Sequence, residues 1–206
     1  MACTLHHLTY QEKMFVLLLL LAVLLLVSIL LVVESCIPFK MPELKKTRRF
    51  FEDRDGFLSQ LYKEIQSSVK SATRKELKSC FRLNLTSDLP WESLVVKYFP
   101  RLQFYDYTKH LKRFVRFLEG KFPSNYHLTY SRSEETPDAL VKSLCASGGN
   151  VAVVFRNHLP DKWLGLEVID GDDSDLRFED GKGKIVGLLE KGLAKKDKTG
   201  FVVEPE

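Results

Sequence analysis

Cysteine is scarce in this chain and forms no cluster. The four cysteines are Cys3, Cys36, Cys80 and Cys145. None belongs to a C-x-x-C pair or a Cys/His group, which leaves a zinc site or a dithiol redox centre without support. Cys36, Cys80 and Cys145 are an odd set and imply no disulfide framework. Catalytic signatures are missing too. There is no G-x-S-x-G, no H-E-x-x-H and no Cys/His nucleophile pattern. His110, His127 and His158 have no nucleophile paired with them in sequence. No internal repeat is present, and no low-complexity run outside one apolar stretch. Catalytic, cofactor and metal residues are therefore expected to be none, and a binding protein is favoured over an enzyme.

What the sequence does have is apolar length. Residues 14 to 33, MFVLLLLLAVLLLVSILLVV, hold no charge and a single hydroxyl, Ser28. As a helix they would rise about 30 Å, the hydrocarbon thickness of a bilayer. A cleaved signal peptide has an apolar region of roughly 7–15 residues, so this run reads as a retained single-pass signal-anchor in an endoplasmic-reticulum or plasma membrane. Val33 and Ser35 are small enough for cleavage before Cys36, and the alternative is then a lumenal or secreted glycoprotein.

Orientation follows the lysine and arginine bias at the ends of the span. Only Lys13 precedes it, whereas Lys40, Lys45, Lys46, Arg48 and Arg49 follow it. This places the C-terminal domain in the cytosol. One feature disagrees: Asn84-Leu85-Thr86 is a glycosylation sequon, usable only in the lumen. On the cytosolic side, Cys36 is a candidate for lipidation.

The net charge of +4 conceals a division. Residues 34–122 carry 19 Lys and Arg against 11 Asp and Glu, net +8, and residues 123–206 carry 11 against 15, net −4. The basic half lies beside the bilayer, where anionic head groups would attract it.

The expected organisation is a short tail (1–13), the transmembrane helix (14–33), a basic stalk (34–56), a helical region (57–99) and a small α/β domain (100–206). Pro38 and Pro42 exclude a helix continuous with the anchor. Leu58, Leu61, Tyr62, Ile65, Val69 and Ala72 recur at helical spacing; within that stripe, Leu58, Leu61, Ile65 and Val69 form a candidate face for a partner helix. Asp88 or Ser87 with Pro90 opens a short helix ending before Pro100.

Beyond residue 100, strands are expected at 101–107, 126–131, 150–156 and 163–169. Helices are expected from Thr108 to Leu118, after Thr136-Pro137-Asp138, and over 184–195. Gly148-Gly149 stops the second of these, and the FVV tail reads as a short edge strand. The two strand-helix-strand steps imply parallel pairing, and the short loop between the last two strands implies an antiparallel pair. The fold class is thus α/β with a mixed sheet, in order β-α-β-α-β-β-α.

This order resembles the thioredoxin-like fold. The resemblance stops at the chemistry. Asp106-Tyr107-Thr108-Lys109 stands where that family places its cysteine pair, and no proline directly precedes the strand at 150–156, where that family has its cis-proline.

Three clusters bear on ligands. Asp170-Gly171-Asp172-Asp173-Ser174-Asp175 is dense in oxygen, but it lacks the spacing of a calcium loop and reads as a solvated acidic turn. Lys109, His110, Lys112, Arg113 and Arg116 line one side of a helix, read as a solvated or lipid-facing surface with no nucleic acid expected. If the domain were an enzyme, its pocket would lie at the strand ends near Asp106, Ser131 and Asn157. The expected function is a membrane-anchored, non-catalytic binding or adaptor domain. Its partners are the lipid bilayer, anionic head groups and another protein.

Overall fold

The computed structural model describes residues 41–85 and 87–205. The apolar run Met14–Val33, Cys36 and Lys40 lie outside the described residues. Among those described, no helix is long and apolar enough to cross a membrane. The chain divides into two compact units, Met1–Leu61 and Tyr62–Glu206.

In the first unit, α1 (Met41–Glu52) occupies part of the expected stalk. Pro42 is tolerated because it falls in the first turn, where its missing N–H has no partner to lose. Lys45, Lys46, Arg48 and Arg49 are exposed on this helix, and Arg48 pairs with Glu52 at 2.7 Å. The buried Phe50 ring meets Phe51 and Phe57 edge-on at 5.4 and 5.5 Å. Asp53 separates α1 from α2 (Arg54–Arg74), and its carboxylate accepts from Gly56 N–H at 3.1 Å, an N-cap.

The second unit opens with the remainder of α2. Of the candidate partner face, one residue is buried there, and the neighbouring Tyr62 is engaged. Ile65 is buried, Tyr62 donates to the Leu94 carbonyl at 2.6 Å, and its ring meets Phe99 at 5.7 Å. Val69, like Leu58 and Leu61 of the first unit, is half-buried.

An eight-stranded, mostly parallel sheet follows. Its strands are β1 (Cys80–Phe81), β2 (Gln103–Thr108), β3 (Tyr126–Ser131), β4 (Val151–Phe155), β5 (Lys162–Trp163), β6 (Leu166–Asp170), β7 (Ile185–Leu189) and β8 (Val202–Val203). The order is β1-β2-β3-β4-β7-β6-β5, with β8 also on β4. Helix α3 (Trp91–Leu94) precedes β2, α4 (Leu111–Leu118) links β2 to β3, and α5 (Asp138–Ala146) links β3 to β4.

Register sorts the side chains. Phe104, Asp106 and Thr108 share a face with Tyr126, Leu128 and Tyr130. This is the α4 face, where Phe114 meets Tyr130 at 5.5 Å. Tyr105 and Tyr107 lie on the other face, and Phe178, in the segment between β6 and β7, meets Tyr105 at 5.6 Å.

Four expectations need correction. The closing helix at 184–195 is instead the interior strand β7, followed by a 3-10 turn at Gly192–Lys196. Spacings of three and four in Ile185, Val186, Leu188 and Leu189 fit a strand buried on both faces equally well. The antiparallel partner of β4 is absent, because β7 lies between β4 and β6 and pairs parallel with both.

The strand expected at 163–169 is a tight β5–β6 hairpin turning at Leu164 and Gly165, both at positive φ. Finally, no side chain caps α3 or α5. The antiparallel pair and closing helix behind the thioredoxin-like order are therefore both replaced, while the α/β class stands. The tail does form a strand, β8, which continues alongside β4 where β3 ends at the Ser131–Ala152 pair.

Candidate functional site

An open cleft of about 840 Å³ lies toward the C-terminal ends of the parallel strands, the side on which open α/β sheets bind their ligands. Its floor is the face opposite α4: Tyr107 of β2, Ser131 of β3, Ala152 and Val154 of β4, and Leu188 of β7. One wall comes from the loop after β1, through Arg82, Asn84, Leu85, Ser87 and Asp88. The other is the acidic turn after β6, Gly171 to Asp175. Lys109, His110 and Phe201 complete the rim.

The first wall is built on Asn84. Its side-chain carbonyl accepts from Ser87 Oγ (2.8 Å), Leu89 N–H (3.0 Å) and Trp91 Nε1–H (2.8 Å). Its amide donates to the Leu89 carbonyl at 3.1 Å, and its backbone N–H donates to Asp106 Oδ1 at 2.7 Å. Asn84 is 2% exposed. A glycan on a side chain so enclosed would be incompatible with this arrangement of the wall.

Beneath that wall, Asp106 is fully buried and accepts from the Tyr126 hydroxyl at 2.7 Å. Burial pushes its carboxyl up to about 7, against the opposing effects of the Tyr126 and Asn84 hydrogen bonds and of Arg113. Burial and the Asp106 charge in turn raise the Tyr126 hydroxyl. Arg113 reaches the same hydroxyl at 2.8 Å and bridges Glu92 (2.7 Å) and Asp88 (2.5 Å). It is almost wholly buried, not part of a solvated helix side. Asp88 also accepts from Thr108 Oγ1 (2.7 Å) and Lys109 N–H (2.9 Å), so it ties the loop to the end of β2 instead of capping α3.

Two carboxylates of the acidic wall are committed in the same way. Asp172 accepts from Leu189 N–H at 3.0 Å and pairs with Lys191 at 2.7 Å. Asp175 accepts from Tyr105 Oη (2.9 Å) and Arg82 (3.2 Å), and the Arg82 guanidinium stacks 4.5 Å over Tyr107. These carboxylates point to separate partners. Among the described residues, no group of three His, Cys, Asp or Glu could hold a metal ion.

Of the expected rim residues, Ser131 lines the cleft, Asp106 lies buried outside its lining, and Asn157 is exposed elsewhere. The histidines are dispersed. His110 is on the rim and His158 is exposed away from it. His127 is held neutral, its basicity lowered to about 4 by burial and the Arg177 charge. The basic cluster from Lys109 to Arg116 is also broken up, since Lys109, ahead of α4, lies over the Phe201 ring at 5.2 Å and Arg116 over Phe122 at 5.8 Å.

A family model described as Gene product 88 matches residues 39–205. The chain belongs to the Gene product 88 family. The matched stretch takes in every residue of the cleft and both of its walls. Among curated proteins and among solved structures, no match is found.

The sequence marks the acidic wall only as an oxygen-rich turn, Asn84 only as a sequon and Asp88 only as a helix cap, and does not bring them together as a cleft. Arg82, Asn84 and Asp88 are brought to the sheet by partners far along the chain, and the available signal was local. Asn84 followed by Ser87 and Trp91 offers an amide with hydroxyl and indole donors within seven residues.

Proposed function

We propose that this Gene product 88 family member is a single-pass membrane protein that displays its α/β domain as a non-catalytic binding module, with the cleft as the ligand site. The cleft carries the reading. It has the size of a small-molecule or short-peptide site, with an apolar and hydroxyl-bearing floor between two polar walls. Its charged groups favour binding over catalysis. Asp88, Asp172 and Asp175 are each matched by a cation. The hydroxyl that donates to Asp88 belongs to Thr108, which is itself buried.

The buried Asn84 favours a cytosolic domain. Oligosaccharide added to that side chain in the lumen during synthesis would block the fold of the first wall. This agrees with the lysine and arginine bias after the apolar run.

Native mass spectrometry of the full chain purified from its own membranes tests the reading. Ala152→Trp fills the cleft floor and serves as the comparison. The expected result is a co-purifying small molecule or peptide on the unmodified chain that is absent from the variant. A bound species chemically converted on incubation would favour a membrane-tethered enzyme instead. Equal occupancy of both proteins would remove the cleft as the site.

A further inference from the structure

The segment between β7 and β8 holds Lys191, Lys195, Lys196 and Lys198 against two acids, Glu190 and Asp197. It is fixed from beneath. Arg156 donates to the Lys195 carbonyl at 3.2 Å and to the Asp197 carbonyl at 2.9 Å. Asp197 turns inward and accepts from Val202 N–H (3.1 Å) and Thr199 Oγ1 (2.8 Å).

The neighbouring acids are also engaged. Glu190 and Glu204 pair with Arg156 at 3.0 and 2.5 Å, and Asp172 holds Lys191. Lys195, Lys196 and Lys198 are exposed and have no carboxylate partner among the described residues. On the same turn Leu193 is 86% exposed. The fixed backbone thus holds an aliphatic side chain in water amid unneutralised cations.

A nucleic acid would satisfy the lysines and leave Leu193 wet. An anionic bilayer satisfies both, taking the ammonium groups at its head groups and the leucine at the acyl boundary. We infer that the turn carrying Leu193, Lys195, Lys196 and Lys198 is a second membrane contact of this chain, specific for anionic lipid. The inference rests on the anchored reading in one respect: a tether at Met14–Val33 would make the contact intramolecular and therefore highly populated.

The test places Leu193→Trp in the full chain, mixed with phosphatidylcholine vesicles with or without phosphatidylserine, the acyl chains carrying bromine to quench indole. Trp91 and Trp163 are 4% and 8% exposed, so the unmodified chain supplies the baseline. Each lysine near an anionic surface multiplies partition about fivefold. Quenching of the introduced indole is therefore expected to be severalfold larger with phosphatidylserine. Lys195→Gln, Lys196→Gln and Lys198→Gln combined should return it to the phosphatidylcholine level.

Flotation separates the two ideas. A chain that floats with both vesicle types but shows only baseline quenching overturns the second contact and keeps the anchor. Flotation and quenching with anionic vesicles alone keep the contact and overturn the anchor. Flotation with neither overturns both.

Discussion

The Tyr126 hydroxyl donates to Asp106 at 2.7 Å in the interior of the sheet, joining β3 to a carboxylate that also holds the backbone of Asn84 at 2.7 Å. The first wall of the cleft is therefore attached to the sheet through a titratable group. Folding keeps the Asp106 proton up to about pH 7, whereas an unfolded aspartate loses it near pH 3.9. Between those values the folded state holds a proton that the unfolded state has released. The Asp106 contribution to stability should therefore fall as pH rises through this window, by up to about 4 kcal/mol, while His127, lowered to about 4, contributes a rise between about pH 4 and 6.5 that opposes it. Asp106→Asn should remove the Asp106 part and leave the His127 rise, so that its slope between pH 5 and 7 is more positive than that of the unmodified chain. Denaturant unfolding of the detergent-solubilised chain at pH 5, 6, 7 and 8 gives the slopes, and equal slopes in both proteins would show that Asp106 is ionised throughout.

Asn84 is expected to matter for stability, not as a site of modification. Asn84→Ala removes four side-chain hydrogen bonds, taking from the buried Trp91 indole N–H and the Leu89 N–H the acceptor that Asn84 supplies. Unfolding should become easier by about 3 kcal/mol. A change within half a kcal/mol of zero would mean that water replaces the amide and that the wall is open to solvent.

Gly187 distinguishes strand from helix at the end of the chain. In an exposed helix, Gly→Ala stabilises by about 1 kcal/mol. In β7 an added Cβ would lie 2.7 Å from Val168 Cγ1 and 3.0 Å from Leu159 Cδ2. Gly187→Ala should therefore destabilise by about 2 kcal/mol, read as a lower thermal midpoint. A raised midpoint would favour a helix there.

The sequence makes β2, β3 and β4 legible because each alternates or runs apolar between clear turn signals, with helices of matching period between them. Their shared parallel direction follows from those connections. It does not reveal β7, whose apolar spacing satisfies two geometries, nor the β5–β6 hairpin, whose turn begins at Leu164 instead of the usual Asn or Gly. Arg113 looks like a surface residue from its helix alone; its burial depends on Asp88 and Glu92, 25 and 21 residues away. Of the strand-end rim expected near Asp106, Ser131 and Asn157, only Ser131 lines the cleft. Its walls become neighbours because the turn after β6 crosses β7, where Asp172 accepts from Leu189 N–H, and Asp175 reaches Tyr105 and Arg82.

Hydrogen exchange on the full chain in detergent, with and without a low-molecular-mass extract of its native cells, tests the cleft as a ligand site most directly. Exchange should slow in segments 82–88, 107–110 and 171–175 and remain unchanged in Ala152→Trp. Slowing confined to other segments, or equal slowing in the blocked variant, would show that the ligand binds elsewhere.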